Sequence, residues 1–182
     1  GFVLGEGAGV MILESRRHAE ARRANMIAKV VAGGWFSDPT GMTQIDESGA
    51  VVSEVLKRTL TSRDRCPDLL SVHGTGTESN DLAEARGIQT AFAASPKMPD
   101  CFGVKGALGH LLGAAGSVET VLTLMALQHR KIPATANLRR VDRRCRIPLN
   151  SDVRSLPQLQ QAAKLSLGFG GHVACGVFDV EQ

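Results

Sequence analysis

The chain has 182 residues, enough to bury one substantial core, and 43% of them are hydrophobic, which excludes general disorder. Its net charge of +3 is too small to argue for nucleic acid as a partner. Aromatic residues make up only 4%, with no Tyr, so small aliphatic side chains must carry the packing. The four cysteines, Cys66, Cys101, Cys145 and Cys175, lie far apart without a CxxC pair, which suits reduced thiols rather than a disulfide framework or a zinc site. No stretch approaches the roughly 18 consecutive apolar residues of a membrane span. No secretory leader is visible and the first residue is Gly1, so a cytoplasmic location is the default expectation.

Gly1 to Glu14 reads as two short apolar strands around Gly5-Glu6-Gly7-Ala8-Gly9, a hairpin or tight bend. The polar run Ser15 to Asn25 predicts a short exposed helix, and Ile27 to Trp35 a strand. Gly49 to Leu60 is amphipathic, with Val51, Val52, Val55, Leu56 and Leu60 on one face. Leu69 to Val72 predicts a buried strand that runs straight into His73. Asn80 or Asp81 reads as a helix cap, and Asp81 with Glu84 has the spacing of a capping box; the helix should reach about Ala94, before Pro96 and Pro99.

Cys101 to His129 then reads as a short strand, a glycine-punctuated loop holding Lys105 and His110, and a long helix from about Ala114. That helix is apolar on nearly every side, which places it inside the protein. Pro133 to Pro148 is an Arg-rich connection, and Leu165 to Phe178 predicts two strands around Gly168-Phe169-Gly170-Gly171. Alternating strands and helices predict one α/β domain over residues 1–182 with a largely parallel sheet.

His73, the Lys105–His110 loop and the Gly168 turn each follow a predicted strand. In an α/β fold such ends gather along one edge, where ligands bind. Singly, each has a plain structural reading: a His before a turn, a solvated Lys, an ordinary glycine turn. A metal held by His73, His110 and His172 is disfavoured, since no pair has the spacing of a familiar metal motif, and no metal is expected.

Together the stretches GFVLGEGAGVMILE, HGTGTESND, VKGALGHLLGAAGSVE and LGFGGHVA closely resemble the C-terminal part of β-ketoacyl-acyl-carrier-protein synthases and of polyketide ketosynthase domains. The resemblance runs in family order over essentially the whole chain. It implies the C-terminal half of a thiolase-like fold, βαβαβαββ with helices on both faces of a mixed, mostly parallel sheet. Residues 1–14 would be the last strands of the N-terminal half. It also implies decarboxylative Claisen condensation of an acyl thioester with malonyl on acyl carrier protein, in fatty-acid or polyketide synthesis.

By the same resemblance, His73 and His110 donate hydrogen bonds to the enolate oxygen, with Lys105 and Glu119 as their polar support. The Phe169 N–H would serve the oxyanion hole while its ring gates the acyl channel. Thr75, Thr77, Gly168, Gly170 and Gly171 would line the substrate path. No cofactor is expected, the substrates riding on phosphopantetheine. The expected partners are acyl carrier protein, the N-terminal half and a second ketosynthase subunit in a homodimer or heterodimer.

The family's nucleophilic cysteine opens a buried helix in the N-terminal half, and none of the four cysteines here has that setting; Cys175 reads as a core residue of the last strand. Leu165, Ser166 and Leu167 stand in place of the usual Asn-Ser-Phe run, and Val173 in place of Asn, which removes polar groups beside the glycine turn. A non-catalytic subunit of the chain-length-factor type is the alternative, and a thiolase relative a third reading. Arg139, Arg140, Arg143, Arg144 and Arg146 either meet an acidic carrier or form an ordinary solvated loop.

Overall fold

The computed structural model describes residues 1–60 and 66–181. After an irregular opening, helix α1 (Arg16–Ala21) starts where the Ser15 hydroxyl accepts the His18 N–H at 3.3 Å, an N-cap in the expected polar run. Strand β1 (Ala28–Ser37) leads to helix α2 (Ala50–Leu60), strand β2 (Leu69–Ser71) and helix α3 (Glu78–Ala91). Strand β3 (Asp100–Phe102), the single turn α4 (Lys105–Leu108) and the long helix α5 (Ala115–His129) follow. The two-residue strands β4 (Lys131–Ile132) and β5 (Arg154–Ser155) pair with each other, and β6 (Gln161–Gly168) and β7 (His172–Val180) close the chain.

The main sheet has the order β1-β7-β6-β2-β3. Strand β2 is parallel to β3 and to β6, whereas β7 is antiparallel to β6 and to β1. The sheet is therefore half antiparallel, not mostly parallel. The last two strands are joined by the tight glycine turn, which only an antiparallel pair can use.

Successive residues of each strand serve opposite faces. Leu70 and Ala163 meet α2 and α3 through Val52, Val55, Leu56, Ile88 and Phe92. Leu69 and Ala162 instead pack with Phe102, Ala126, Leu127, Leu159 and Phe178 beneath α5. Helices thus cover both faces. Each fully buried Val or Leu contributes about 1.5–3 kcal/mol, so α2 is held chiefly by Val52, Val55 and Leu56.

Two expectations are corrected. Residues 1–14 form no strand; only Leu4 makes an isolated bridge, to His110, because this segment finds a loop rather than a strand edge to bond with. Helix α5 buries one stripe, Ala115, Glu119, Thr123, Ala126 and Leu127, while Met125 on another side is exposed. Within this chain α5 is a covering helix, and its buried stripe carries a carboxylate.

Gly87 marks the closest approach of α2 and α3. A Cβ there would stand 2.5 Å from Val52 Cβ and 2.7 Å from the Gly49 carbonyl oxygen. Gly87→Val should force the helices apart and cost about 3 kcal/mol, read as a lower urea midpoint. An unchanged midpoint would contradict this packing.

Candidate active site

Strands β2, β3 and β6 run parallel, so their C-terminal ends lie on one edge of the sheet. There β2 delivers His73, and β3 delivers Lys105 as the first residue of α4. Helix α3 begins at Glu78 behind Thr77 without a side-chain cap, so the capping box expected of Asp81 and Glu84 does not form. Glu84 is buried and turned toward the preceding loop, where its carboxylate accepts the His73 N–H at 2.5 Å and the Gly74 N–H at 2.8 Å. Burial raises its pKa, opposed by these two donors. Sequence spacing read it as a local cap; its partners are tertiary.

Lys105 is buried among polar groups. Its ammonium lies 2.5 Å from Glu119 Oε1, donates to the His73 carbonyl, and sits 3.3 Å from His73 Nδ1. A second lysine joins it: Lys164 of β6, also buried, lies 2.8 Å from Glu119 Oε2. Glu119 thus bridges two cations. Lys164 was not among the residues expected from sequence. The signal was there, a lone charge in the apolar run Ala162-Ala163-Lys164-Leu165.

The partners fix both imidazole tautomers. An ammonium can only donate, so His73 Nδ1 is an acceptor and the proton of the neutral ring sits on Nε2. His110 Nδ1 accepts the Leu112 N–H at 3.0 Å, and Leu112 adopts a left-handed φ of 50° there. Its proton is likewise on Nε2. The two rings meet edge to face, centroids 5.6 Å apart at 81°, and the Phe2 ring meets His110 at a 58° tilt, centroids 4.9 Å apart. Two neighbouring rings thus each keep an N–H donor, the Nε2–H, without a protein acceptor among the described residues.

Burial, and then the charges of Lys105, Lys164 and His110, press the His73 pKa from 6.5 down to about 2. Burial, then Lys105, lowers that of His110 as well. Both rings are neutral at pH 7. The unfolded chain binds a proton below about pH 6.5 that folded His73 refuses. Stability present above that pH is lost as pH falls toward 2, by about 1.4 kcal/mol per unit. The urea midpoint should drop between about pH 7 and about pH 5, and His73→Gln should flatten the drop; an equally steep drop in that variant would contradict the assignment.

Strand β6 carries the glycine turn to the same edge, with Phe169 the first residue past its end. Phe169 is exposed and makes no ring contact with either imidazole among the described residues. The turn is clamped from outside. Gly171 O accepts the Asp38 N–H at 2.7 Å, the Gly170 N–H donates to Met42 O at 2.7 Å, and a Cβ on Gly171 (φ 76°) would strike Asp38 O at 2.1 Å. Gly168 ends β6 opposite His172.

Thr75 and Thr77 hydroxyls are 2.8 Å apart and line a groove of about 1000 Å³ with Lys105, Asn137, Arg140 and Arg144. Neither imidazole lines that groove. Arg144 is engaged by Asp142 at 2.7 Å and Glu78 at 2.8 Å, so part of the arginine run pairs within the chain. Cys101, Cys145 and Cys175 are buried thiols, Cys175 within β7 as expected. Among the described residues no three His, Cys, Asp or Glu side chains converge as metal ligands, and no helix is long and apolar enough to cross a membrane.

Comparison with known proteins bears on the fold and the family. The chain superposes over its full length on a type II polyketide synthase ketosynthase, solved with its acyl-carrier protein and bound to the hexaketide, at TM-score 0.94 and 27% identity, covering 45% of that chain. The ishigamide ketosynthase/chain length factor gives 0.92 and 28%, again over all of this chain and 45% of the other. These likenesses define the class: half of a thiolase-like α/β fold. The beta-ketoacyl synthase C-terminal domain profile matches residues 27–139, and the chain belongs to that family. Among curated relatives, 3-oxoacyl-[acyl-carrier-protein] synthase 2 of Vibrio cholerae is 39% identical over 176 residues, 94% of this chain and 42% of the relative. The chain thus spans less than half the length of such relatives.

Proposed function

We propose that this chain is the C-terminal half of a cytoplasmic β-ketoacyl-acyl-carrier-protein synthase that performs decarboxylative Claisen condensation. The observation that carries the reading is the edge-to-face pair of imidazoles, each with Nδ1 occupied and Nε2–H unpaired. An acyl group rests as a thioester on a cysteine of the N-terminal half, and a malonyl thioester enters on the phosphopantetheine arm of acyl carrier protein, past Thr75 and Thr77. The malonyl C–CO₂ bond breaks and its electron pair forms an enolate. The enolate oxygen takes hydrogen bonds from His73 and His110, which cost no reorganisation because the rings are already neutral and fixed. The enolate carbon then attacks the acyl carbonyl, whose oxyanion is met by the Phe169 N–H, and the cysteine thiolate leaves.

No metal or other cofactor takes part. Lys105 and Glu119 support the imidazoles, while Gly168, Gly170 and Gly171 shape the turn that presents Phe169. The enzyme is a dimer of ketosynthase subunits. Retention of both histidines and Lys105 favours a catalytic subunit over a chain-length factor. The test is incubation of the complete synthase with acyl and malonyl carrier thioesters. Carbon dioxide and a 3-oxoacyl carrier are expected by mass spectrometry; an intact malonyl carrier would overturn the reading.

A further inference from the structure

Lys164 is a charge where the fold has every reason to place an aliphatic side chain. Its strand neighbours Ala162, Ala163 and Leu165 are fully buried, and Lys164 itself is 3% exposed. Taking an ammonium out of water costs several kcal/mol, and a hydrophobic residue of similar volume is often as stable or more so. Packing alone does not account for it.

Its contacts point at His73. Besides Glu119 Oε2 at 2.8 Å, the Lys164 ammonium reaches the Val72 carbonyl at 3.5 Å and donates to the Leu165 carbonyl. The Val72–His73 peptide is thereby held at both ends, its N–H by Glu84 at 2.5 Å and its C=O by Lys164. Glu119 in turn hydrogen-bonds Lys105 through Oε1 and forms an ion pair with Lys164 through Oε2, a contact of charge without hydrogen-bond geometry.

We propose that Lys164 is a positioning residue for the condensation: it pins Glu119 so that Oε1 faces Lys105, and through Lys105 and Val72 it fixes the His73 imidazole with Nε2–H free. This role rests on the reaction proposed above. It assigns to the strand before the glycine turn a task otherwise carried by α4 and α5 alone.

The experiment is a double-mutant cycle in the complete synthase with Lys164→Met and Glu119→Gln, reading malonyl decarboxylation and acyl transfer to cysteine separately. Lys164→Met should slow decarboxylation about 10²-fold, the size expected when a reacting group is misplaced by about 1 Å. The KM for the malonyl carrier should stay within a few-fold, and acyl transfer should fall less. The double variant should be no slower than the worse single one, since both act through one carboxylate, and Lys164→Arg should recover part of the rate.

Should Lys164→Met not fold, Lys164→Gln, which keeps an N–H donor without the charge, takes its place in the cycle. Additive losses, or equal losses in both half-reactions, would mean that Lys164 only supports the fold. An active wild type unaffected by the Lys164 change overturns this role alone. A wild type unable to decarboxylate overturns the functional reading and this role with it.

Discussion

Replacing His110 with Ala in the complete synthase is expected to slow malonyl decarboxylation by about 10²–10³-fold, the usual cost of one preorganised oxyanion donor. Acyl transfer to the cysteine should be largely intact. The asymmetry follows from charge. On the proposed mechanism negative charge develops on the malonyl thioester oxygen when CO₂ departs, and both Nε2–H groups lack a protein acceptor among the described residues. On the same mechanism, acyl transfer would place its oxyanion at the glycine turn instead. Carbon dioxide release and the mass of the acyl-enzyme read the two steps independently. Unchanged decarboxylation in His110→Ala would make His110 a structural residue that merely seats Phe2.

The second large effect is an absence. The 182-residue chain expressed alone should form no acyl-enzyme. Burial pushes the Cys175 thiol up to about 12 and the Cys101 and Cys145 thiols upward too, so none of the three supplies a thiolate near neutral pH. The chain alone should also self-associate. Val3, Val10, Ile12 and Leu13 are each three-quarters or more exposed, with Trp35 and Met125 exposed as well, and apolar surface of that extent seeks cover. Light scattering after size exclusion, and mass spectrometry after exposure to an acyl carrier thioester, check both points. A monomer acylated on one of its own cysteines would defeat the assignment of the nucleophile to the other half.

Strand ends were legible as local punctuation, while the roles of the residues there came from the family resemblance. His73 directly follows an apolar run, Lys105 and His110 sit in a glycine-rich stretch, and Gly168 to Gly171 separate two strands; each pattern marks a strand end without any knowledge of the fold. What escaped the sequence was tertiary. Glu84 has the spacing of a helix cap but turns to the His73 loop, since burial makes two backbone donors its best partners. Lys164 reads as one polar residue in a strand until Glu119 is found beneath it. The opening segment has two apolar runs like a pair of strands, yet such a run becomes a strand only when an edge is available to pair with, and here Leu4 bridges only to the His110 loop. Sheet direction failed similarly: β7 reverses because the glycine turn is too short for a crossover.

The proposed mechanism requires two neutral imidazoles that both carry their proton on Nε2. Nitrogen-15 NMR of the complete synthase, labelled on histidine and assigned with His73 and His110 variants, reads protonation and tautomer directly. Both rings should show protonated Nε2 and unprotonated Nδ1 near pH 7, and His73 should stay neutral down to about pH 5. An imidazolium at either position, or a His73 protonated on Nδ1, would contradict it.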